Sequence, residues 1–110
     1  MMEKYLGKEV EVVMDRPLGS NHPKHGFTYE VNYGYIPGTK APDGEEIDAY
    51  VLGTDKPLEK FTGKVIAIVH RLDDDDDKLV VVPAGRGFTD EEILKQTNFQ
   101  EKFFKPTIIR

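Results

Sequence analysis

Tyr29-Glu30-Val31-Asn32-Tyr33-Gly34-Tyr35-Ile36-Pro37 lies within an extended stretch that begins at Phe27. Aromatic and β-branched side chains dominate it, and Pro37-Gly38 stops it. Tyr29 and Tyr33 are four residues apart and share one face; Tyr35 joins them unless Gly34 introduces a bulge. Such tyrosines ordinarily pack with the ring half-buried and the hydroxyl at the surface. An acidic turn downstream gives the stretch a chemical meaning. Asp43-Gly44-Glu45-Glu46-Ile47-Asp48 sets Asp43, Glu45 and Asp48 within six residues, at a turn leading into an apolar run. Carboxylates this dense repel one another unless a cation sits among them, and oxygen-only ligands suit Mg²⁺, with Mn²⁺ also accommodated. The tyrosine hydroxyls can then donate to phosphate oxygens that the ion brings in.

An isolated Asp-Gly-Glu-Glu is ordinarily a solvated turn. Asp48 differs, because Ala49-Tyr50-Val51-Leu52 follows it and the strand it opens is apolar enough to be buried. A carboxylate there needs a partner. The run Asp73 to Asp77 with Lys78 also reads as a solvated loop on charge alone. Its place between the apolar runs Val65 to Val69 and Leu79 to Val82 makes it a hairpin-like connection.

The remaining elements are set by periodicity and punctuation. Gly7 to Met14 is a first strand carrying Val10, Val12 and Val13. Asp15 to Gly26 is a loop dense in Pro, Gly, Ser and Asn. Ile47 to Leu52 is a strand closed by Gly53. Thr89 and Glu92 form a capping box that opens a helix, with Ile93, Leu94, Phe99 and Phe103 as its apolar stripe and Pro106 as its stop. Thr107-Ile108-Ile109 adds a short closing strand. Five or so short strands and one C-terminal helix predict a mainly β domain spanning 1–110, a small five-stranded, OB-like closed or partly open barrel. Its interior is expected around Val10, Val12, Val51, Val65, Ala67, Val69 and Val81.

Composition narrows the function. The chain has 110 residues, net charge −5 and no cysteine. Disulfides, thiolate metal sites and cysteine nucleophiles are therefore excluded. The acidic balance argues against a general nucleic-acid binder. No apolar stretch reaches the roughly 18 residues that span a bilayer, and the start carries no export signal, so a cytoplasmic location is expected. The sequence leaves a homo-oligomer open.

The two motifs together resemble the soluble, family I inorganic pyrophosphatases, in which Asn-Tyr-Gly-Tyr-Ile-Pro and Asp-Gly-Asp-x-x-Asp-Val occur in this order and near this spacing. The resemblance covers roughly Gly7 to Pro83. It implies that Asp43 and Asp48 hold metal ions, and that Glu45 stands where an Asp helps activate the attacking water. Read back from Leu79-Val80-Val81-Val82-Pro83, Asp76 matches a metal-binding Asp and Lys78 a substrate-binding Lys. Asp73 or Asp74 matches an earlier acidic position. Tyr29 and Tyr33 fall at active-site positions, Asp15 at a metal-supporting Glu and Lys24 at a phosphate-contacting Lys.

Three departures accompany these matches. Gly26 replaces a Glu, the hairpin carrying a phosphate-binding Arg is missing, and Phe103-Phe104-Lys105 replaces Tyr-Lys. Arg16, His22 and His25 are the loop cations that could restore the lost charge. The resemblance implies Mg²⁺-dependent hydrolysis of pyrophosphate to orthophosphate. Its alternatives are a catalytically weak phosphate- or nucleotide-binding module, a hydrolase of another phosphoanhydride and, more distantly, an oligonucleotide-binding barrel.

Overall fold

A computed structural model describes residues 2–73 and 76–110. A short 3₁₀ turn, Met2–Tyr5, precedes β1 (Glu9–Arg16), β2 (Asn32–Ile36), β3 (Ile47–Val51), β4 (Lys60–Arg71), β5 (Lys78–Val82), α1 (Asp90–Glu101) and β6 (Pro106–Ile109). The strand order is β1-β2-β3-β5-β4-β6, and β1 also pairs with β4. That extra pairing closes β1, β2, β3, β5 and β4 into the expected five-stranded barrel, with β6 appended to β4. All pairings are antiparallel except β3 with β5.

Alternation builds two cores. Val12, Met14, Ile36, Ile47, Ala49, Val51, Val65, Ile68, Leu79 and Val81 fill the barrel. Tyr33, Tyr50, Leu52, Val80 and Val82 point outward and pack with Ile93 and Phe99 of α1. β5 is buried along its whole length because it is covered on both faces. Its run Leu79-Val80-Val81-Val82 is therefore apolar without interruption.

Several expectations change. Ala67 and Val69 belong to the outer core, not to the interior. A register shift between Val65 and Ala67 reverses the alternation, so Val65 and Ile68 face inward. β4 starts at Lys60 rather than near Val65, and its first half pairs with β1. The extended stretch predicted from Phe27 enters the sheet only at Asn32; upstream, Thr28 bridges Asn21 within the loop.

The capping box is present. Thr89 Oγ1 accepts from the Glu92 N–H, and Glu92 Oε1 accepts from the Thr89 N–H. The stripe differs: α1 buries Ile93, Thr97, Phe99, Gln100 and Glu101, it ends before Phe103, and Phe103 is exposed.

Candidate active site

The outer wall of the barrel supplies one half of a cleft. Asp48 on β3 lies beside Lys78 on β5 in the parallel pair, and opposite Tyr35 on β2. Lys78 Nζ donates to Asp48 Oδ2 at 2.8 Å and to Asp76 Oδ2 at 2.6 Å. The lysine side chain is buried, while both carboxylates are about one-third exposed. Both carboxylates thus converge on a single ammonium. Tyr33 stands alongside, its ring centroid 5.7 Å from Lys78 Nζ. Burial raises its phenol well above the ordinary value, and the negative charge of Asp48 adds to the rise. Tyr33 therefore stays protonated and keeps an O–H to donate.

A bulge in β1 brings in two more groups. The register moves from Met14↔Gly34 to Arg16↔Tyr33, leaving Asp15 as the extra residue. Strict alternation would send Asp15 and Arg16 to opposite faces; here both line the cleft. The close approach requires Gly34, because a Cβ there would lie 2.0 Å from the Val13 carbonyl oxygen. Partial burial raises the Asp15 carboxyl above its ordinary range; Arg16 opposes the rise and Asp48 adds to it.

The loop after β1 is fixed by Asn32, which is fully buried. Its Oδ1 accepts from the Leu18 and Leu58 N–H groups, and its Nδ2 donates to Thr54 Oγ1 and the Lys56 carbonyl. At the loop tip, His22 Nδ1 accepts from the N–H groups of Lys24 and His25. Desolvation lowers the His22 pKa, and the charges of His25, Arg16 and Lys24 lower it further.

The helix end supplies the other half. Glu101 Oε1 accepts from Arg71 Nε at 2.9 Å, and Oε2 accepts from Arg71 Nη2 at 2.8 Å. Both side chains are buried. Arg71 also lies 3.6 Å from Asp76 and sits over the Phe104 ring at 3.7 Å. The Tyr50 hydroxyl donates to Glu101 Oε2, Gln100 Nε2 donates to the Tyr50 hydroxyl, and the Tyr29 hydroxyl donates to Gln100 Oε1. Burial, with Glu101 next, holds the Tyr50 phenol well above its ordinary range.

These parts enclose a cleft of about 500 Å³. Asp15, Tyr29, Tyr33, Asp48, Asp76 and Lys78 line it, and so do Arg16, His22, His25 and Arg71. The sequence profile of the inorganic pyrophosphatase family matches residues 7–108. The chain belongs to the inorganic pyrophosphatase family. Metal-dependent hydrolysis of pyrophosphate to orthophosphate is the function that membership carries.

The inorganic pyrophosphatase of Neisseria meningitidis serogroup A is 30% identical over 130 residues, which cover 90% of this chain and 73% of the relative. The inorganic pyrophosphatase structure from Neisseria gonorrhoeae superposes with a TM-score of 0.66 at 26% identity, over 84% of this chain and 72% of that one. The Ehrlichia chaffeensis structure gives a TM-score of 0.71 at 19% identity, over 92% and 84% of the two chains, and shows the shared fold.

Other expected site residues of this family member lie outside the cleft. Asp43 and Glu45 are exposed on the expected turn before β3, and Asp43 Oδ1 accepts from the Glu45 N–H. The neighbouring Lys40, Ala41 and Pro42 line a separate hollow of about 360 Å³ with Asp77. Asp76 and Asp77 thus point to different hollows, as adjacent residues of an extended segment do. Lys24 is exposed, with its backbone N–H turned to His22. Asp73 Oδ1 accepts from the Lys105 N–H, which ties it to the connection into β6. Asp74 lies outside the described residues. Among the described residues, no three Asp, Glu or His side chains gather as a ligand cluster.

The residues that sequence reasoning missed are Arg71, Gln100 and Glu101. Arg71 carried a signal: it is a charged residue ending an apolar strand. No described helix is long and apolar enough to cross a membrane.

Proposed function

We propose that this chain splits pyrophosphate in the cleft between the barrel wall and the helix end, with a divalent cation held by Asp48 and Asp76. The observation that carries the reading is the convergence of these two carboxylates on one cationic point, the Lys78 ammonium. The donors fit the ion: both are carboxylates, both are partly open to the cleft, and an all-oxygen set suits a hard cation such as Mg²⁺. When bound, the ion supplies a water of lowered pKa and positive charge against the leaving phosphate.

The chain's own groups do the rest. Asp15, which lines the same cleft as Asp48, has a raised pKa that suits it to accept the proton of the attacking water. Lys78, set in the cleft floor, and Arg16 hold substrate oxygens by charge. Tyr33 donates from a phenol that burial keeps protonated. Tyr29 is turned toward Gln100, so its part is to fix the wall that faces the substrate. Arg71, held in a bidentate pair by Glu101, fixes the wall of the cleft at the helix end. Positioning and charge stabilisation are the main terms for phosphoryl transfer. A cytoplasmic location belongs to the same reading, which the absence of cysteine supports.

A phosphate-release assay tests this. Pyrophosphate with Mg²⁺ or Mn²⁺ should give orthophosphate, and EDTA should abolish the release. Background release with both metals would reject hydrolysis and leave a binding module on the same fold.

A further inference from the structure

One end of the cleft has no task in splitting pyrophosphate. Phe27, His22, His25 and Phe103 form a shelf of rings there. His22 lies 4.7 Å from His25 and 4.8 Å from Phe27, and the rings of His25 and Phe27 are within 4° of parallel at 6.4 Å. Phe103 stacks at 6.0 Å from His25 and 5.8 Å from Phe27. Its side chain is 56% exposed, so a large flat ring faces water at the mouth of a charged cleft. A row of rings connects the shelf to the ionic end. Phe27 is 5.4 Å from Tyr29, Tyr29 is 5.4 Å from Tyr33, and Tyr33 is 5.7 Å from Lys78 Nζ.

The space is also generous. A cleft of about 500 Å³ falls within the range of about 300–1,000 Å³ found for drug-sized organic ligands, and pyrophosphate is far smaller. Exposed aromatic faces beside fixed cations recognise a planar ring joined to phosphate, because any base offers a π-face for stacking.

We infer that the cleft also takes nucleoside 5′-diphosphates, with the base on the Phe27–His25–Phe103 shelf and the diphosphate at the Asp48–Lys78–Asp76 end. The inference rests on the pyrophosphate reading of the same site and extends its substrate class. The reaction balances without a further reactant. Water oxygen bonds to the β-phosphorus, and the bond from that phosphorus to the bridging oxygen breaks. The bridging oxygen leaves on the nucleoside monophosphate, the β-phosphoryl group becomes orthophosphate, and the water's proton passes to Asp15.

The test compares the parent with Phe103→Ala and Phe103→Trp, with Mg²⁺, on pyrophosphate and ADP. Saturation-transfer NMR on the adenine protons of ADP reports the stacking directly. Phe103 is exposed, so both variants should keep the parent's urea midpoint. The parent should release phosphate from ADP and show transfer to the base. Phe103→Ala should raise the KM for ADP about fivefold or more, with pyrophosphate turnover unchanged, and Phe103→Trp should restore it. A parent that splits pyrophosphate but neither splits ADP nor transfers saturation to its base overturns the inference alone. Equal losses on both substrates in Phe103→Ala overturn the assignment of the shelf to the base. Transfer to the base without phosphate release from either compound removes the hydrolytic reading and leaves the shelf as a nucleotide-binding site.

Discussion

The two halves of the cleft are built by opposite strategies. On the barrel wall, a buried lysine lies beneath two carboxylates that face the cleft, so charge is presented outward. At the helix end, Arg71 and Glu101 close on each other, away from water, and Tyr50, Gln100 and Tyr29 complete the hydrogen bonding. A pair already satisfied inside the protein has little left for a substrate; losing one member, however, takes the bidentate partner from a buried charge. The wall half is therefore assigned to chemistry and the helix half to holding the cleft in shape. Variants in the two halves should separate stability from turnover.

Glu101→Ala should have the largest effect on folding, about 3–5 kcal/mol by urea denaturation, because Arg71 is left buried without its bidentate partner. Replacing Arg71 by Met in the same protein should recover part of that loss; no recovery would mean that the pair is not the unit removed. Lys78→Ala should invert the pattern. Its kcat/KM for pyrophosphate should fall by about 10²–10³, with a smaller change in urea midpoint than Glu101→Ala. Equal stability losses in the two variants would erase the division between the halves.

Tyr29→Phe should be milder. It removes the bond to Gln100 at a cost of about 1 kcal/mol, and turnover should fall less than tenfold. A loss of turnover as large as that of Lys78→Ala would return Tyr29 to direct substrate contact.

The far end of the helix gives the smallest effect. Hydrogen bonds from the Thr89 backbone and side chain hold the Glu92 carboxyl below its ordinary value of 4.5. An acid whose folded pKa is depressed contributes stability above its unfolded pKa and loses it as pH falls through the folded one. The difference in urea midpoint between parent and Glu92→Gln should thus be full at neutral pH and close below about pH 4.5. Turnover should not change. A difference that persists at lower pH would mean that the charge of Glu92 is not what stabilises the cap.

The same division explains what could be read in the sequence. The order of the strands, the barrel class and the capping box are legible in local pattern and punctuation. Asp48, Tyr33, Asp76 and Lys78 stand out because each is a polar or aromatic residue at a fixed place on or beside an apolar strand. The helix end is hidden because Gln100 and Glu101 resemble any solvated helix face; Arg71, 30 residues earlier, and the hydroxyls of Tyr50 and Tyr29 make that face interior. Phe103 reads as core because it continues the apolar spacing, but the helix stops first. The bulges escape as well. One moves Ala67 and Val69 from the barrel interior to the outer core, and the other turns Asp15 and Arg16 into the same cleft. A bulge is set by what two strands must reach together, which neither strand's own sequence states.

The part of Asp48 in turnover is read most directly by ³¹P NMR of pyrophosphate with the parent and with Asp48→Asn, in Mg²⁺, at matched folded fractions. Asp48 is one-third exposed and keeps its place in β3, so the substitution should leave the fold intact. The parent should convert pyrophosphate steadily to orthophosphate, and Asp48→Asn should be slower by at least about 10²-fold. Equal rates in the two proteins would contradict it.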